Sequence, residues 1–257
     1  MKRSPAVIGY LTIVRKQVGR IFRIWKQTLL PPVITMSLYF VVFGGFIGKQ
    51  ISAINGYTYM QYIVPGLVMM SIITNSYINT VTTFYFAKWQ RNIDEILVSP
   101  MPWWAIVGGY VTAGVIRAFI TGVLVVAVSL FFTHLVIHNA LVLFAVAFLT
   151  ALMFSIAGVI NAIYAKNIDA TSIVPTFVLT PLTYLGGVFY SINLLPPFFA
   201  KLSLANPILY MVNGFRYGFL GVSDVRLSIC FGVIVAFTVV LLVWVMLLFR
   251  SGAGLKK

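Results

Sequence analysis

The stretch SICFGVIVAFTVVLLVWVMLLF, residues 228–249, contains no charged side chain. A helix needs about 20 apolar residues to cross the roughly 30 Å hydrocarbon layer of a membrane, so this stretch is long enough to span it. Five further stretches are similarly long and mainly apolar, at 30–48, 60–84, 104–131, 139–164 and 171–191. The sequence therefore predicts an all-α integral membrane protein with six transmembrane helices.

The overall composition agrees with a membrane protein. Hydrophobic residues make up 61% of the 257 residues and charged residues only 9%. The mean hydropathy of +1.01 excludes an ordinary soluble domain. The connections between the apolar stretches are short, so we expect one membrane domain over 30–257, preceded by an N-terminal cytoplasmic segment, 1–29.

The basic residues predict the orientation of the chain. The net charge is +14, and thirteen of the 18 lysines and arginines fall in pieces that are cytoplasmic if the N-terminus is inside. Cytoplasmic segments of membrane proteins carry such an excess, which predicts that both termini are cytoplasmic. Because these charges flank membrane spans, they do not indicate a nucleic-acid partner.

Several function classes lack the residues they require. The only acidic residues are Asp94, Glu95, Asp169 and Asp224, and none lies inside a long apolar stretch, where a gradient-driven carrier usually holds its coupling ion. There is no GxxxxGK[ST] phosphate loop, no catalytic triad and no metal-ligand set. We expect no enzymatic activity and no cofactor on this chain, so energy for uphill transport must come from another polypeptide.

Residues 13–29 predict an amphipathic helix in the membrane interface. Val14, Val18 and Phe22 recur on one face, and cations that include Arg20 and Arg23 occupy much of the rest. Such a helix suits a lipid anchor, and its exposed face also suits docking of a cytoplasmic partner. The two roles are compatible.

The loop at 85–103 is the most densely charged connection in the chain. It carries Lys88, Arg91, Asp94 and Glu95 beside an apolar ridge, and it ends in prolines. This pattern predicts a short amphipathic helix that presents both charge signs, a surface that favours protein docking. A solvated turn is the alternative.

Polar residues inside the apolar stretches are the candidates for a transport pathway. Asn75 and Asn79 lie in the second stretch, and Arg117 lies in the third without an acidic neighbour one turn away. A buried arginine is expensive in a membrane, so we expect it to face water, a polar cluster or helix-end carbonyls. Gluing helices together and lining a pathway both remain open for these residues.

Residues 192–227 contain two apolar pieces too short to span, about 197–205 and 208–220. They predict a re-entrant helical hairpin on the outer side, before the last span. Its aromatic residues suit either an outer lid or a plain aromatic belt. We assign Phe215 and Tyr217 here, and Tyr184 and Phe189 near the end of the fifth stretch, to the pathway or gate.

Four segments resemble the ABC-2 type permeases, the membrane subunits of ABC exporters, and the resemblance extends over essentially the whole chain. They are QTLLPPVITMSLYFVVFG (27–44), QRNIDEILVSPMP (90–102), LTPLTYLGGVFY (179–190) and NPILYMVNGFRYGFLG (206–221). The last two are the more specific. The similarity is greatest to small six-span permeases of Gram-negative inner membranes that pair with a separate ATPase, including those of nodulation-factor export.

The resemblance implies how the parts work. The N-terminal helix and the 85–103 loop would be the coupling elements that contact the ATPase, with Glu95 matching the acidic residue before the loop proline. The hairpin would form an outer gate. A homodimer of this chain would work with two copies of the ATPase, which would bind ATP and Mg.

The expected function is therefore the permease of an ATP-driven exporter in the bacterial inner membrane. A lipid-linked, drug-like or glycan substrate is compatible with the residues. The competing hypotheses are a channel or gradient-driven carrier, and a non-transporting scaffold or lipid-modifying enzyme.

Overall fold

The structure is a computed structural model that describes residues 4–48, 53–54, 56–93, 95, 99 and 101–252. Every regular element within these ranges is a helix. An isolated β-bridge joins Ile54 and Tyr57. An all-α fold is thus confirmed for the described part of the chain.

The N-terminal region folds as three consecutive helices. α1 spans Pro5–Arg23, α2 spans Trp25–Thr28 and α3 spans Leu30–Tyr39, continuing as a π-helix over Phe40–Ile47. α1 begins earlier than the predicted amphipathic helix at 13–29. The helical path is interrupted at Ile24 and again at Leu29, so the short segment 24–29 forms an elbow between α1 and α3.

The central helix, α4, spans Tyr59–Trp89. Its start is fixed by a capping box: Thr58 Oγ1 accepts from the Gln61 amide, and Gln61 Oε1 accepts from the Thr58 amide at 3.0 Å. The helix is buried along most of its length. It packs between α5, Trp103–Ser129, and α6, Ala140–Tyr164.

α1 lies across α5. Its buried side consists of Ile13, Gln17 and Ile21, and the Ile13 side chain fills the space above Gly109. The Tyr10 hydroxyl is 2.8 Å from that of Thr112 on α5. α1 is therefore held against α5 by a mainly apolar side, close to Trp89, where α4 ends.

The fifth apolar stretch is a helix of changing pitch. α7 spans Ala170–Val174, a π-helix spans Pro175–Leu179, and α8 spans Thr180–Tyr184. Because prolines 175 and 181 lack an amide proton, they favour such an irregular helix. The helical residues end at Tyr184, short of the predicted end at 191, since the chain turns at Gly187 with φ of 71°.

The predicted hairpin contains two helices. After a 3₁₀ turn at Ile192–Leu194, α9 spans Pro197–Leu204 and α10 spans Pro207–Leu220. Asn206 caps α10 by accepting from the Ile208 amide at 3.0 Å. α10 packs against α4, α6 and the last helix, α11, which spans Leu227–Ser251.

In the described part of the chain, four helical segments are long and apolar enough to cross a membrane. They are Trp25–Ile47, Trp103–Ser129, Ala140–Tyr164 and Leu227–Ser251. α4 has the length, but its polar residues between Thr74 and Asn79 make it less apolar. The α7–α8 segment, Ala170–Tyr184, is too short at about 1.5 Å per residue. The structure supports a multi-helix membrane protein with four clear spans, and the count of six stays a prediction.

Candidate functional site

Arg117 is buried at the junction of three helices. Its Nη2 donates to the Asn75 side-chain oxygen at 3.3 Å and to the Thr28 carbonyl at 3.1 Å, and its Nη1 donates to Asn79 at 3.4 Å. The polar cluster and the helix-end carbonyl expected around this arginine are both present. The predicted residues Asn75, Asn79 and Arg117 therefore contact one another. We call these three residues and Thr28 the Arg117 cluster.

The Arg117 cluster joins the elbow to the bundle core. Thr28 lies at the end of α2, and its hydroxyl also donates to the Ile21 carbonyl at 3.1 Å. The Nε of Arg117 and the Nδ2 of Asn79 are buried and make no hydrogen bond within the described residues. All the acceptors are neutral, so the positive charge is solvated by dipoles rather than paired with an anion.

A second buried arginine, Arg216, lies near the start of α4, beside Tyr62. Only 1% of the residue is exposed. Its Nη2 donates to the Gly187 carbonyl at 2.6 Å, and its guanidinium lies 3.9 Å from the ring centroid of Tyr62. Arg216 lies in the second apolar piece of the predicted hairpin, 208–220, and the structure buries it among these partners.

Asp224 completes the network around Arg216. It accepts hydrogen bonds from the Ser191 hydroxyl at 2.8 Å, the Ile192 amide at 3.1 Å and the Tyr62 hydroxyl at 3.4 Å. The Asp224 amide donates to Asn213 on α10 at 2.9 Å. This Arg216 network ties α4, the segment after α8, α10 and the loop before α11 into one assembly.

Tyr184 and Phe189 belong to an aromatic cluster with two residues of the first apolar stretch. The rings of Tyr184 and Phe189 stack with centroids 5.6 Å apart, and Phe189 stacks on Phe43 at 4.7 Å. The hydroxyls of Tyr39 and Tyr184 are 3.1 Å apart. Tyr184 is exposed, so this aromatic cluster borders the surface of the single chain.

The other two predicted gate residues lie elsewhere. Phe215 is buried and meets Phe219 edge to face at 5.3 Å, inside the packing of α10. Tyr217 is half-buried and stands edge-on to His138 at 5.4 Å. The predicted pathway set is thus divided among the Arg117 cluster, the aromatic cluster and the interior of α10.

The predicted coupling residues that the structure describes lie at the Trp89 end of the bundle. Arg23 is exposed and Arg20 is half-buried beside Tyr110, and burial lowers the pKa of Arg20. Arg91 and Glu95 are exposed, and Arg91 has a positive φ of 59° that turns the chain after α4. Asp94 lies outside the described residues.

Lys88 has a different environment from the other coupling residues. Its ammonium donates to the carbonyls of Ile163 and Ala165 at the end of α6. A cation at this position satisfies carbonyls that a helix terminus leaves open. Lys88 therefore fastens the end of α6 to α4.

Sequence reasoning missed the partners that organise these sites. Arg216 binds the backbone carbonyl of Gly187, and Arg117 binds the backbone carbonyl of Thr28. Every residue has a backbone carbonyl, so the sequence does not reveal which ones will serve as acceptors. The described residues hold no group of three or more His, Cys, Asp or Glu residues that could bind a metal.

The similarity to known proteins covers most of the chain. The family model described as ABC-2 type transporter matches residues 9–220. The inner membrane transport permease YadH of Escherichia coli K12 is 54% identical over 250 residues, which is 97% of this chain and 98% of YadH. Nodulation protein J of Rhizobium meliloti is 26% identical over 223 residues, 84% of each chain. That of Rhizobium leguminosarum bv. viciae is 25% identical over 224 residues, 84% of this chain and 85% of the relative. The chain is therefore a member of the ABC-2 type transporter family.

Proposed function

We propose that this chain is the membrane subunit of an ATP-driven exporter in the bacterial inner membrane. The observation that carries the proposal is the family match over residues 9–220. The chain has no phosphate-binding loop of its own, so a separate ATPase subunit would bind ATP and Mg. Both termini would be cytoplasmic, and six segments would cross the membrane. α4 would be one of them, and the α7–α8 segment, too short on its own, would need the residues that follow it to complete the crossing.

The Trp89 end of the bundle would dock the ATPase. Exposed charged residues support this: Arg23 on α1, and Arg91 and Glu95 after α4. Together they present both charge signs, which favours a specific orientation of a protein partner. The rigid connection of the docking surface to α4 and α5 would carry motion into the membrane.

The substrate would be amphipathic, such as a lipid-linked, drug-like or glycan molecule. The aromatic cluster of Tyr39, Phe43, Tyr184 and Phe189 offers ring faces beside two hydroxyls. A notch of about 180 Å³ opens between α4 and the α7–α8 segment, and it is lined in part by the hydroxyl residues Thr82, Thr171, Ser172 and Thr176. Both surfaces combine apolar contact with hydrogen bonding.

The chain would act as a homodimer with two ATPase subunits. Most residues of the segment Trp25–Ile47 are not buried within one chain, and Ile173 and Phe177 on the α7–α8 segment are largely exposed. α4 is buried within the chain almost throughout, so the exposed faces of α3 and the α7–α8 segment are the better candidates for a dimer contact. A route for the substrate would then lie between the two copies.

Transport would follow from a two-state movement. ATP binding would close the ATPase dimer and shift α1 and the turn after α4 at the docking surface. The Arg117 cluster would transmit this shift through the elbow to α3. Two residues of the aromatic cluster lie there: Tyr39 at the end of α3 and Phe43 in the π-helix that continues it. At the other end, the Arg216 network would hold the outer gate as a unit, so binding energy at one end biases the state of the other.

Charge reversal at Glu95 tests the docking proposal. Glu95→Lys, co-expressed with the ATPase of the same transporter, should insert normally and lose most of the ATP hydrolysis that the wild-type complex shows in nanodiscs. The matched control is Asp169→Lys, a second exposed acidic residue on the predicted cytoplasmic side. Normal coupling in Glu95→Lys would refute the assignment of Glu95, and failure of the wild-type chain to bind any ATPase would refute the exporter function itself.

A further inference from the structure

A cleft of about 480 Å³ lies between α1 and the Trp89 end of α4. Four cationic side chains of α1 line it: Arg15, Lys16, Arg20 and Arg23. They occupy little more than two turns of one helix, so their positive potentials add within a confined space.

The charge of the cleft is not balanced by its described lining. Those lining residues include no carboxylate. Arg20 reaches furthest inward: its Nε is buried and donates no hydrogen bond within the described structure. Arg20 and Arg117 also repel each other electrostatically. A bound anion would pair with these cations and reduce that repulsion.

The opposite wall supplies neutral polar groups. Thr83 and Gln90 at the end of α4 and Tyr110 on α5 face the cleft beside the apolar ring of Phe86. Hydroxyl and amide groups together with guanidinium groups suit the oxygens of a phosphate, which accept several charge-assisted hydrogen bonds.

The surroundings of the cleft favour a lipid as the source of that phosphate. On α1 and at the elbow, the large side chains of Phe22 and Trp25 are 55% and 49% exposed. In an interfacial helix such side chains enter the acyl boundary while neighbouring cations meet the head groups. A lipid would place its phosphate in the cleft and its chains against this apolar surface.

We propose that the cleft is a specific binding site for the phosphate of an anionic phospholipid head group. Basic pockets between helices on the cytoplasmic side of membrane proteins are a known form of such sites. Arg20 is the innermost ligand, and Arg15 and Lys16 hold the head group at the rim. Arg23 lines both this cleft and the proposed ATPase docking surface. The site requires no partner protein, however, so it can be tested on the chain alone.

Binding to the purified chain tests the proposal without the ATPase. Native mass spectrometry in a neutral detergent would compare dioleoyl phosphatidylglycerol with dioleoyl phosphatidylcholine. Arg15→Gln/Lys16→Gln removes two exposed charges without disturbing the core, and Arg20→Gln removes the inner one. Lys26→Gln is the matched control, since Lys26 is also an exposed cation near the elbow but is not part of the cleft lining.

We expect the wild-type chain to prefer phosphatidylglycerol at least tenfold. Each cation near a membrane surface contributes about a fivefold effect, so Arg20→Gln should weaken phosphatidylglycerol binding about fivefold and the double variant about twentyfold or more. Lys26→Gln should match the wild type. Equal binding of both lipids, or unchanged phosphatidylglycerol binding in both cleft variants, would overturn the proposal.

Two further arms distinguish other sources of the anion. Millimolar inorganic phosphate should not displace phosphatidylglycerol, because it lacks the acyl chains that contact Phe22 and Trp25. Displacement by phosphate would overturn the lipid assignment in favour of a free-anion site. Cleft variants that keep lipid binding but lose the ATPase subunit would overturn it in favour of a protein-docking site.

Discussion

Arg117 places a positive charge inside the helix bundle with only neutral oxygens as its hydrogen-bond partners in the described structure. A buried charge is tolerated when several dipoles replace its water. The Thr28 carbonyl is one of those dipoles, and it belongs to the elbow rather than to the core. Arg117 therefore holds the elbow in a fixed position relative to α4.

Replacing Arg117 should loosen the elbow before it unfolds the bundle. In Arg117→Leu the oxygens of Thr28, Asn75 and Asn79 lose their donor, and each unsatisfied buried group costs about 1–3 kcal/mol. We expect faster hydrogen–deuterium exchange in residues 24–29, with transport lowered at least tenfold in molecules that still insert.

The matched control is Arg226→Leu, which removes an exposed arginine at the start of α11. Its exchange pattern at 24–29 should equal that of the wild type. Unchanged exchange at the elbow in Arg117→Leu would show that Arg117 does not hold it.

At the residue level, the sequence predicted environments better than partners. Arg117 and the two asparagines could be grouped in advance because a buried cation needs polar neighbours and these residues lie in adjacent apolar stretches. Arg216 could not be placed, because its main acceptors are the carbonyls of Gly187 and Tyr62. Backbone acceptors become visible only once the chain path is known.

At the scale of elements, Gly66 marks a close approach to the first half of α4. A Cβ atom at this position would lie 2.6 Å from the Val188 carbonyl oxygen. Gly66 thus lets the segment after α8 lie directly on α4, where Gly187 meets Arg216. Because Gly66 has no side chain, Val188 can pack on α4 and Gly187 can reach Arg216.

Adding one methyl group at Gly66 should therefore separate these elements. In Gly66→Ala the Cβ clashes with backbone, which cannot rotate away as a side chain could, and overpacking of this kind costs about 1–3 kcal/mol. We expect a lower melting temperature in detergent. Gly232→Ala on α11 is the control, because a Cβ there has no neighbour within 4 Å; equal melting temperatures for the two variants would contradict the close approach.

The fifth apolar stretch shows where hydropathy stops being informative about an element. Residues 185–191 are apolar enough to extend a span, yet the helix ends at Tyr184. The turn at Gly187 has φ of 71°, which glycine adopts without strain, and it returns the chain toward α4. Gly186 and Gly187 are adjacent in the sequence and indicate a turn. The direction of the turn depends on tertiary contacts.

At the scale of the whole molecule, the sequence predicted an all-helical membrane chain because long apolar runs constrain structure strongly. It did not predict which helix would be central. α4 occupies that place although its polar run makes it less apolar than four other segments. Most of these polar groups bond within α4 or to Arg117 on α5, as the hydroxyl of Ser76 does to the Ile72 carbonyl at 2.8 Å. These bonds reduce the cost of burying them.

The same packing leaves one side of the molecule poorly covered, and this predicts the contact between two copies of the chain. The surface formed by α3 and the α7–α8 segment carries the aromatic cluster and the hydroxyl-lined notch, features that lipid contact does not require. α11 instead exposes mainly aliphatic residues, for example Val239, Val240 and Val243, and its exposed Phe237 and Trp244 do not stack with each other.

Cysteine cross-linking in membranes distinguishes these surfaces. The only native cysteine, Cys230, is buried and would be replaced by alanine. In that background Phe177→Cys, at a position 74% exposed, should form a disulfide-linked dimer on mild oxidation, since two-fold contacts bring equivalent residues together. Val240→Cys, at a position 62% exposed on α11, should stay monomeric. Cross-linking at 240 without cross-linking at 177 would place the dimer contact on α11 and leave the α7–α8 segment facing lipid.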